Sequence, residues 1–79
     1  MFRKLLKRRQ KKRLLNELES LRWSVRIRTT HLEICDVMIT ESTNPERIEF
    51  WKNERKRFID EAFELSVKAC AIEQKIEEL

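Results

Sequence analysis

Few side chains in this sequence could carry out chemistry. His31 is the single histidine and lies four residues before Cys35, so the two share a helix face and could supply half of a zinc site. A packing role is the favoured interpretation, because a lone helical pair is weak evidence for a metal. The chain has no glycine, hence no glycine-rich phosphate loop, and no nucleophile with a nearby base. We therefore predict a non-enzymatic protein with no catalytic residues, no metal and no cofactor.

The two cysteines, Cys35 and Cys70, are too few for the disulfide framework that small secreted domains use. In a helical hairpin they would also lie too far apart along the axis to be bridged. No apolar run long enough for a signal-peptide core or a membrane span follows the basic first residues. The expected location is the cytoplasm, or the host cytoplasm if a phage encodes the protein.

Basic residues are concentrated at one end of the chain. The first thirteen residues hold eight of the 18 Lys and Arg and no acid, whereas the rest is net negative. Residues 3–13 could therefore contact nucleic acid or an anionic membrane. The alternative is that part of this charge is neutralised by Glu73, Glu77 and Glu78 within the fold.

Arg28 and Arg55 are unusual because each interrupts an otherwise apolar stripe. The favoured interpretation is an ion pair that fixes the helix alignment, with Arg28 near Asp60 and Arg55 near Glu33. The functional alternative is a pocket where symmetry-related arginines bind an anionic ligand, since the guanidinium fork suits phosphate. The candidate ligand-binding residues are Arg22, Arg26, Arg28, Arg55, Lys68, Trp23 and Trp51.

Two heptad patterns must position these side chains. Apolar residues alternate at spacings of four and three in both halves of the chain, which is typical of helices that pack side by side. The first stripe is Leu14, Leu18, Leu21, Val25, Leu32, Cys35 and Ile39, and the second is Ile48, Trp51, Phe58, Ala62, Leu65, Ala69, Ile72, Ile76 and Leu79.

One short break separates the two patterns. Asn44 can cap a helix that begins at Pro45, with Thr43 and Glu46 as an alternative capping box. The predicted organisation is a single domain: a basic segment 1–13, helix one over 14–40, a turn at 41–44 and helix two over 45–79. Such a short connection predicts an all-α antiparallel hairpin of two long helices.

A second apolar stripe on helix one, which includes Trp23, Ile27 and Ile34, would remain outside the hairpin seam, as would Phe63 on helix two. Exposed apolar stripes mark interfaces, so we predict a homo-oligomer, either a dimeric four-helix bundle or a larger symmetric assembly. The candidate interface residues are Leu14, Leu18, Leu21, Val25, Ile27, Leu32, Ile34, Phe58, Phe63, Leu65, Ile72 and Ile76.

The segment from Ile59 to Ala71 resembles the C-terminal helix of a family of small phage proteins that counter cyclic-oligonucleotide-based anti-phage signalling. The matching residues are Trp51, Ala62, Phe63, Val67, Lys68 and Ala69, with Lys68 where the family tends to have Arg. The resemblance implies a helical, symmetric oligomer that sequesters cyclic di- or trinucleotides without cleaving them.

Three functions follow from these patterns. The leading one is an oligomeric anti-defence protein that binds a cyclic oligonucleotide with the arginines and tryptophans named above. The second is a helical adaptor or inhibitor that binds a protein partner through the stripe of Trp23, Ile27 and Ile34. The third is a basic module that contacts nucleic acid or membrane through residues 3–13.

Overall fold

The computed structural model describes residues 2–79 and contains two α-helices. Helix α1 spans Phe2–Glu41 and helix α2 spans Pro45–Glu78. The helices pack against each other in opposite directions, as shown by contacts that join Arg22 to Glu73 near the open end and Asp36 to Arg55 near the turn. The molecule is a rod of 65 × 14 × 12 Å, which confirms the predicted all-α helical hairpin.

Helix α1 begins at Phe2, earlier than the expected residue 14. The basic segment lacks glycine, proline and β-branched residues, and its Lys, Arg, Leu and Gln all have high helix propensity. It therefore continues the helix, although cations near a helix N-terminus oppose the macrodipole. Met1, the first residue of the predicted segment, lies outside the described residues.

The turn consists of Ser42, Thr43 and Asn44. Asn44 has an extended backbone, and its side-chain Oδ1 accepts a hydrogen bond of 3.0 Å from the Glu46 amide. Pro45 follows at the first helical position, where its missing N–H costs nothing. Asn44, and not Thr43, is therefore the N-cap of α2.

The seam between the helices contains a small core. Leu18, Ala69 and Ile72 are buried together, and Leu14, Leu21 and Ile76 pack against them. Farther towards the turn, Cys35 is the one fully buried side chain among residues 2–79. The other large apolar residues of the seam are only half-buried, because a pair of helices covers one face of each.

The described part of the chain contains no helix long and apolar enough to cross a membrane.

Candidate functional site

The N-terminal part of α1 forms a basic arm, defined here as residues 3–13. All eight of its lysines and arginines are exposed, and none forms an ion pair with another residue of the described chain. The expected neutralisation by α2 does not occur at Glu73, because that carboxylate accepts from Arg22 at 2.9 Å. The arm therefore presents its full charge to solvent.

The arm also projects beyond the end of α2. Leu14 and Ile76 both pack against the same buried cluster, so these two residues lie at about the same level of the rod. Extending that antiparallel register by three residues places Leu79 beside Lys11, near the end of the arm that joins the body of the hairpin. Within residues 2–79, the first two turns of α1 therefore have no neighbouring helix.

Arg28 forms an ion pair across the seam. Its Nε donates to Glu61 Oε2 at 3.0 Å, and its Nη1 donates to the Ser24 carbonyl at 3.1 Å. An ion pair was expected, but with Asp60. Glu61 is the partner because it is half-buried at the seam, whereas Asp60, one residue earlier, is exposed.

Arg55 makes the corresponding pair from α2. Its Nε donates to Asp36 Oδ1 at 2.7 Å, about one helical turn from the expected partner, Glu33. A long guanidinium side chain can reach carboxylates on either neighbouring turn, so the backbone register alone does not select between them. Arg28 and Arg55 are both committed to carboxylates within the hairpin.

Trp23 stands on the outer side of α1 with 59% of its surface exposed. The Arg26 guanidinium lies over the indole ring, 5.7 Å from its centroid, in cation–π geometry. Together with Arg22, these residues border an open depression that is also lined by Asn16, Glu19 and Ser20. All six residues belong to α1, so the depression is formed by one helix and is open to solvent in the hairpin.

The other candidate ligand-binding residues lie elsewhere. Trp51 packs edge-on against Phe50 near the turn, with ring centroids 5.2 Å apart. Arg55 is at the level of Asp36, roughly 20 Å along the rod from Trp23. Lys68 is exposed on α2. The hairpin thus brings Arg22, Trp23 and Arg26 together, whereas Trp51 and Arg55 lie far from them along the rod.

Cys35 is buried in the seam, as the packing interpretation predicts, whereas His31 is exposed beside it. The His31 ring lies 4.8 Å from the Phe58 ring. Burial raises the pKa of the Cys35 thiol, with the carboxylates of Glu54 and Asp36 adding to the increase and Arg55 opposing it. Across residues 2–79, no three histidine, cysteine or acidic side chains converge to hold a metal ion. Cys35 and Cys70 are both free thiols.

The candidate interface residues divide into two groups. Nine of them are buried or half-buried within the hairpin: Leu14, Leu18, Leu21, Val25, Leu32, Phe58, Leu65, Ile72 and Ile76. Ile27, Ile34 and Phe63 are exposed on the outside. Val67, one turn after Phe63, is exposed as well and was missed as an interface candidate, although its i+4 spacing indicated the same face.

Comparisons with protein-family models, curated proteins and solved structures found no match to this chain.

Proposed function

We propose that this chain is a non-enzymatic binding protein whose basic arm binds the phosphate backbone of nucleic acid. The observation that carries the proposal is that the eight cations of the arm are exposed and without carboxylate partners in the described chain. By contrast, Arg22, Arg28 and Arg55 each donate to a carboxylate of the hairpin. Six other exposed cations without an ion pair are spread along the body of the described chain, whereas the arm holds eight within eleven residues, so the arm is where cations are concentrated for contact with phosphate.

The shape of the arm suits a groove of a duplex. The major groove of B-form DNA is about 12 Å wide and admits one α-helix, but a pair of helices would not fit. The first two turns of α1 meet that requirement because they extend past the end of α2. At 100° per residue, the lysines and arginines of the arm surround the helix, so cations can reach phosphates on both sides of the groove.

The same distribution argues against a membrane surface. A helix that lies in a membrane interface needs an apolar face free of charge, with its cations on the opposite face. Phe2, Leu5 and Leu6 form a small exposed apolar patch, but Arg9 and Arg13 follow on the same side of the helix. The patch is therefore interrupted after about one and a half turns.

A matched pair of triple variants tests the proposal. Replacing Lys7, Arg8 and Lys11 by Gln removes three cations from the arm, and replacing Arg47, Lys52 and Lys56 by Gln removes three exposed cations from α2. Both triples change the net charge equally, and neither removes an ion pair of the described chain. Binding is measured by fluorescence anisotropy with a labelled DNA duplex over a series of salt concentrations, and circular dichroism checks that both variants remain helical.

We expect the arm triple to weaken binding for all duplex sequences. The slope of log affinity against log salt should become shallower by about 0.9 for each cation that contacts a phosphate. The α2 triple should change the slope much less. Equal losses from both triples would contradict the assignment to the arm, and tighter binding to anionic lipid vesicles than to DNA would favour the membrane alternative.

A cyclic oligonucleotide remains the second candidate ligand, on the observation that Arg26 lies over the exposed Trp23 ring with Arg22 beside it. An aromatic face and a guanidinium are the groups that stack on a base and bind its phosphate. The resemblance of residues 59–71 to phage anti-defence proteins supports the same ligand class. This protein would act by sequestration, leaving the nucleotide intact.

Calorimetry with a panel of cyclic dinucleotides and trinucleotides tests this candidate. We expect Trp23→Ala to abolish the heat of binding and Lys56→Gln, a change of an exposed cation away from the depression, to leave it unchanged. Absence of heat with every member of the panel would exclude this ligand class.

A further inference from the structure

Helix α1 carries an outer stripe, defined here as Trp23, Ile27, Thr30, Ile34 and Val37. These residues follow the alternation of four and three that also builds the hairpin seam, but they lie on the opposite side of the helix. The four apolar members are exposed by between 42% and 59%. The Thr30 hydroxyl donates to the Arg26 carbonyl at 3.1 Å, so its polar group is satisfied without solvent.

We propose that the outer stripe binds the outer stripe of a second copy of this chain, with the two α1 helices antiparallel. The heptad pattern favours a register in which the twofold axis passes between Arg28 and Thr29. In this register, Trp23 packs beside Ile34 of the second copy. Ile27 packs beside Thr30 in the same way, and the twofold axis repeats both layers. Each large side chain meets a smaller one, which favours close packing of two helices.

Charge complementarity supports the antiparallel orientation. Arg26 and Glu33 both flank the stripe on its same edge, are exposed, and have no ion-pair partner within residues 2–79. They are seven residues apart, or about 10 Å along the helix, which is too far for them to pair within one chain. The antiparallel register places each Arg26 beside Glu33 of the other copy, so two ion pairs form. In a parallel pair of helices, Arg26 would lie at the level of Arg26 of the other copy, and Glu33 at the level of Glu33, so these two ion pairs would not form.

The accessible surface of the chain also fits a missing neighbour. The hairpin exposes 6921 Å². A compact monomer of the same mass is expected to expose about 5,100 Å². The excess is larger than the roughly 800 Å² that each partner contributes to a standard dimer interface. Because a twofold contact closes on itself, this interface yields a dimer and no longer assembly.

The proposed dimer goes beyond the nucleic-acid proposal and does not depend on it. It would place the two basic arms at opposite ends of a rod, with their centres about 60 Å apart at 1.5 Å per residue. The dimer would also bury Trp23 and engage Arg26, so a cyclic nucleotide at those residues would compete with dimer formation.

Charge reversal tests whether a second copy binds the outer stripe and whether it does so in the antiparallel register. The variants are Arg26→Glu, Glu33→Arg and the double exchange of both residues, with Glu64→Arg on the exposed face of α2 as the control. Sedimentation equilibrium is run on the full chain up to about 100 µM protein, because dimer formation depends on concentration. Circular dichroism is recorded for each variant to show that the hairpin is folded.

For the native sequence we expect a mass of twice the 9.7 kDa chain. Each single reversal should raise the dimer dissociation constant about tenfold, since two symmetry-related pairs become repulsive. The double exchange should restore it, and Glu64→Arg should leave it unchanged. A monomer at every concentration, a mass that keeps growing beyond two chains, or failure of the double exchange to restore the dimer would overturn the proposal. None of these results would affect DNA binding by the arm, so the two proposals fail separately.

Discussion

Truncation of Leu18 should remove a large part of the stability of this hairpin. Leu18 is 4% exposed and packs with Ala69 and Ile72 in the small buried cluster of the seam. Replacing a buried Leu by Ala costs about 2–5 kcal/mol, and the lower half applies here because an open two-helix seam can relax around the cavity. A domain of this size is stabilised by only about 3–5 kcal/mol. Leu18→Ala should therefore lose about 2–3 kcal/mol, which is at least about 40% of the total.

Leu15→Ala is the matched control, since it is the same substitution on the same helix at a residue that is 46% exposed. Its free energy of unfolding should fall by less than about 1 kcal/mol. Urea denaturation followed by circular dichroism, at one protein concentration for all variants, measures both losses. If Leu18→Ala is unfolded without urea, Ile72→Val provides a milder change in the same cluster, with an expected cost of about 0.5–1.5 kcal/mol. Equal losses for the Leu15 and Leu18 variants would refute the assignment of the seam as the core.

Four further predictions concern the turn, the seam ion pair and the cysteines. Asn44→Ala should lower the free energy of unfolding by about 1 kcal/mol in urea denaturation, because the Glu46 amide loses its acceptor; no change would show that the cap is dispensable. Glu61→Ala should destabilise the hairpin more than Glu61→Ala combined with Arg28→Met, because the single variant leaves a half-buried guanidinium without a carboxylate, whereas the double variant replaces both charges by apolar side chains; the reverse order in the same assay would contradict this. A thiol reagent at neutral pH should label exposed Cys70 and spare Cys35 until the chain unfolds. Burial raises the pKa of the Cys35 thiol, so this thiol ionises at a lower pH in the unfolded chain than in the folded one. The free energy of unfolding should therefore fall as pH rises above the ordinary thiol pKa. Urea midpoints measured from neutral to alkaline pH should decrease, and an increase would contradict this prediction.

Much of the fold was predictable because it depends on local patterns. The alternation of apolar residues at spacings of four and three specifies two helices and their facing stripes. Asn44 and Pro45 then locate the break, since one accepts from an orphan amide and the other has no amide to satisfy. These signals depend on residues near each other in the chain, and a sequence displays them directly.

The candidate site was less predictable because it depends on which charges meet. Arg28 and Arg55 were expected to form ion pairs, and both do, but with Glu61 and Asp36 as partners. The pairing of Arg22 with Glu73 was not expected at all. A flexible side chain can reach more than one turn of the facing helix, so the choice of partner needs coordinates.

Local patterns in the chain are enough to predict two antiparallel helices, the position of their turn and the gathering of eight cations at one end. Which cations are free of carboxylates depends on the folded hairpin. Folding extended α1 to Phe2, carried the basic arm past the end of α2 and joined Arg22, Arg28 and Arg55 to carboxylates of the facing helix. The physical reason is that helix formation follows local propensity and hydrophobic period, whereas the pairing of charges depends on distances between residues far apart in the chain. For this reason, the proposed anionic partner is assigned to the basic arm and not to the arginines of the seam.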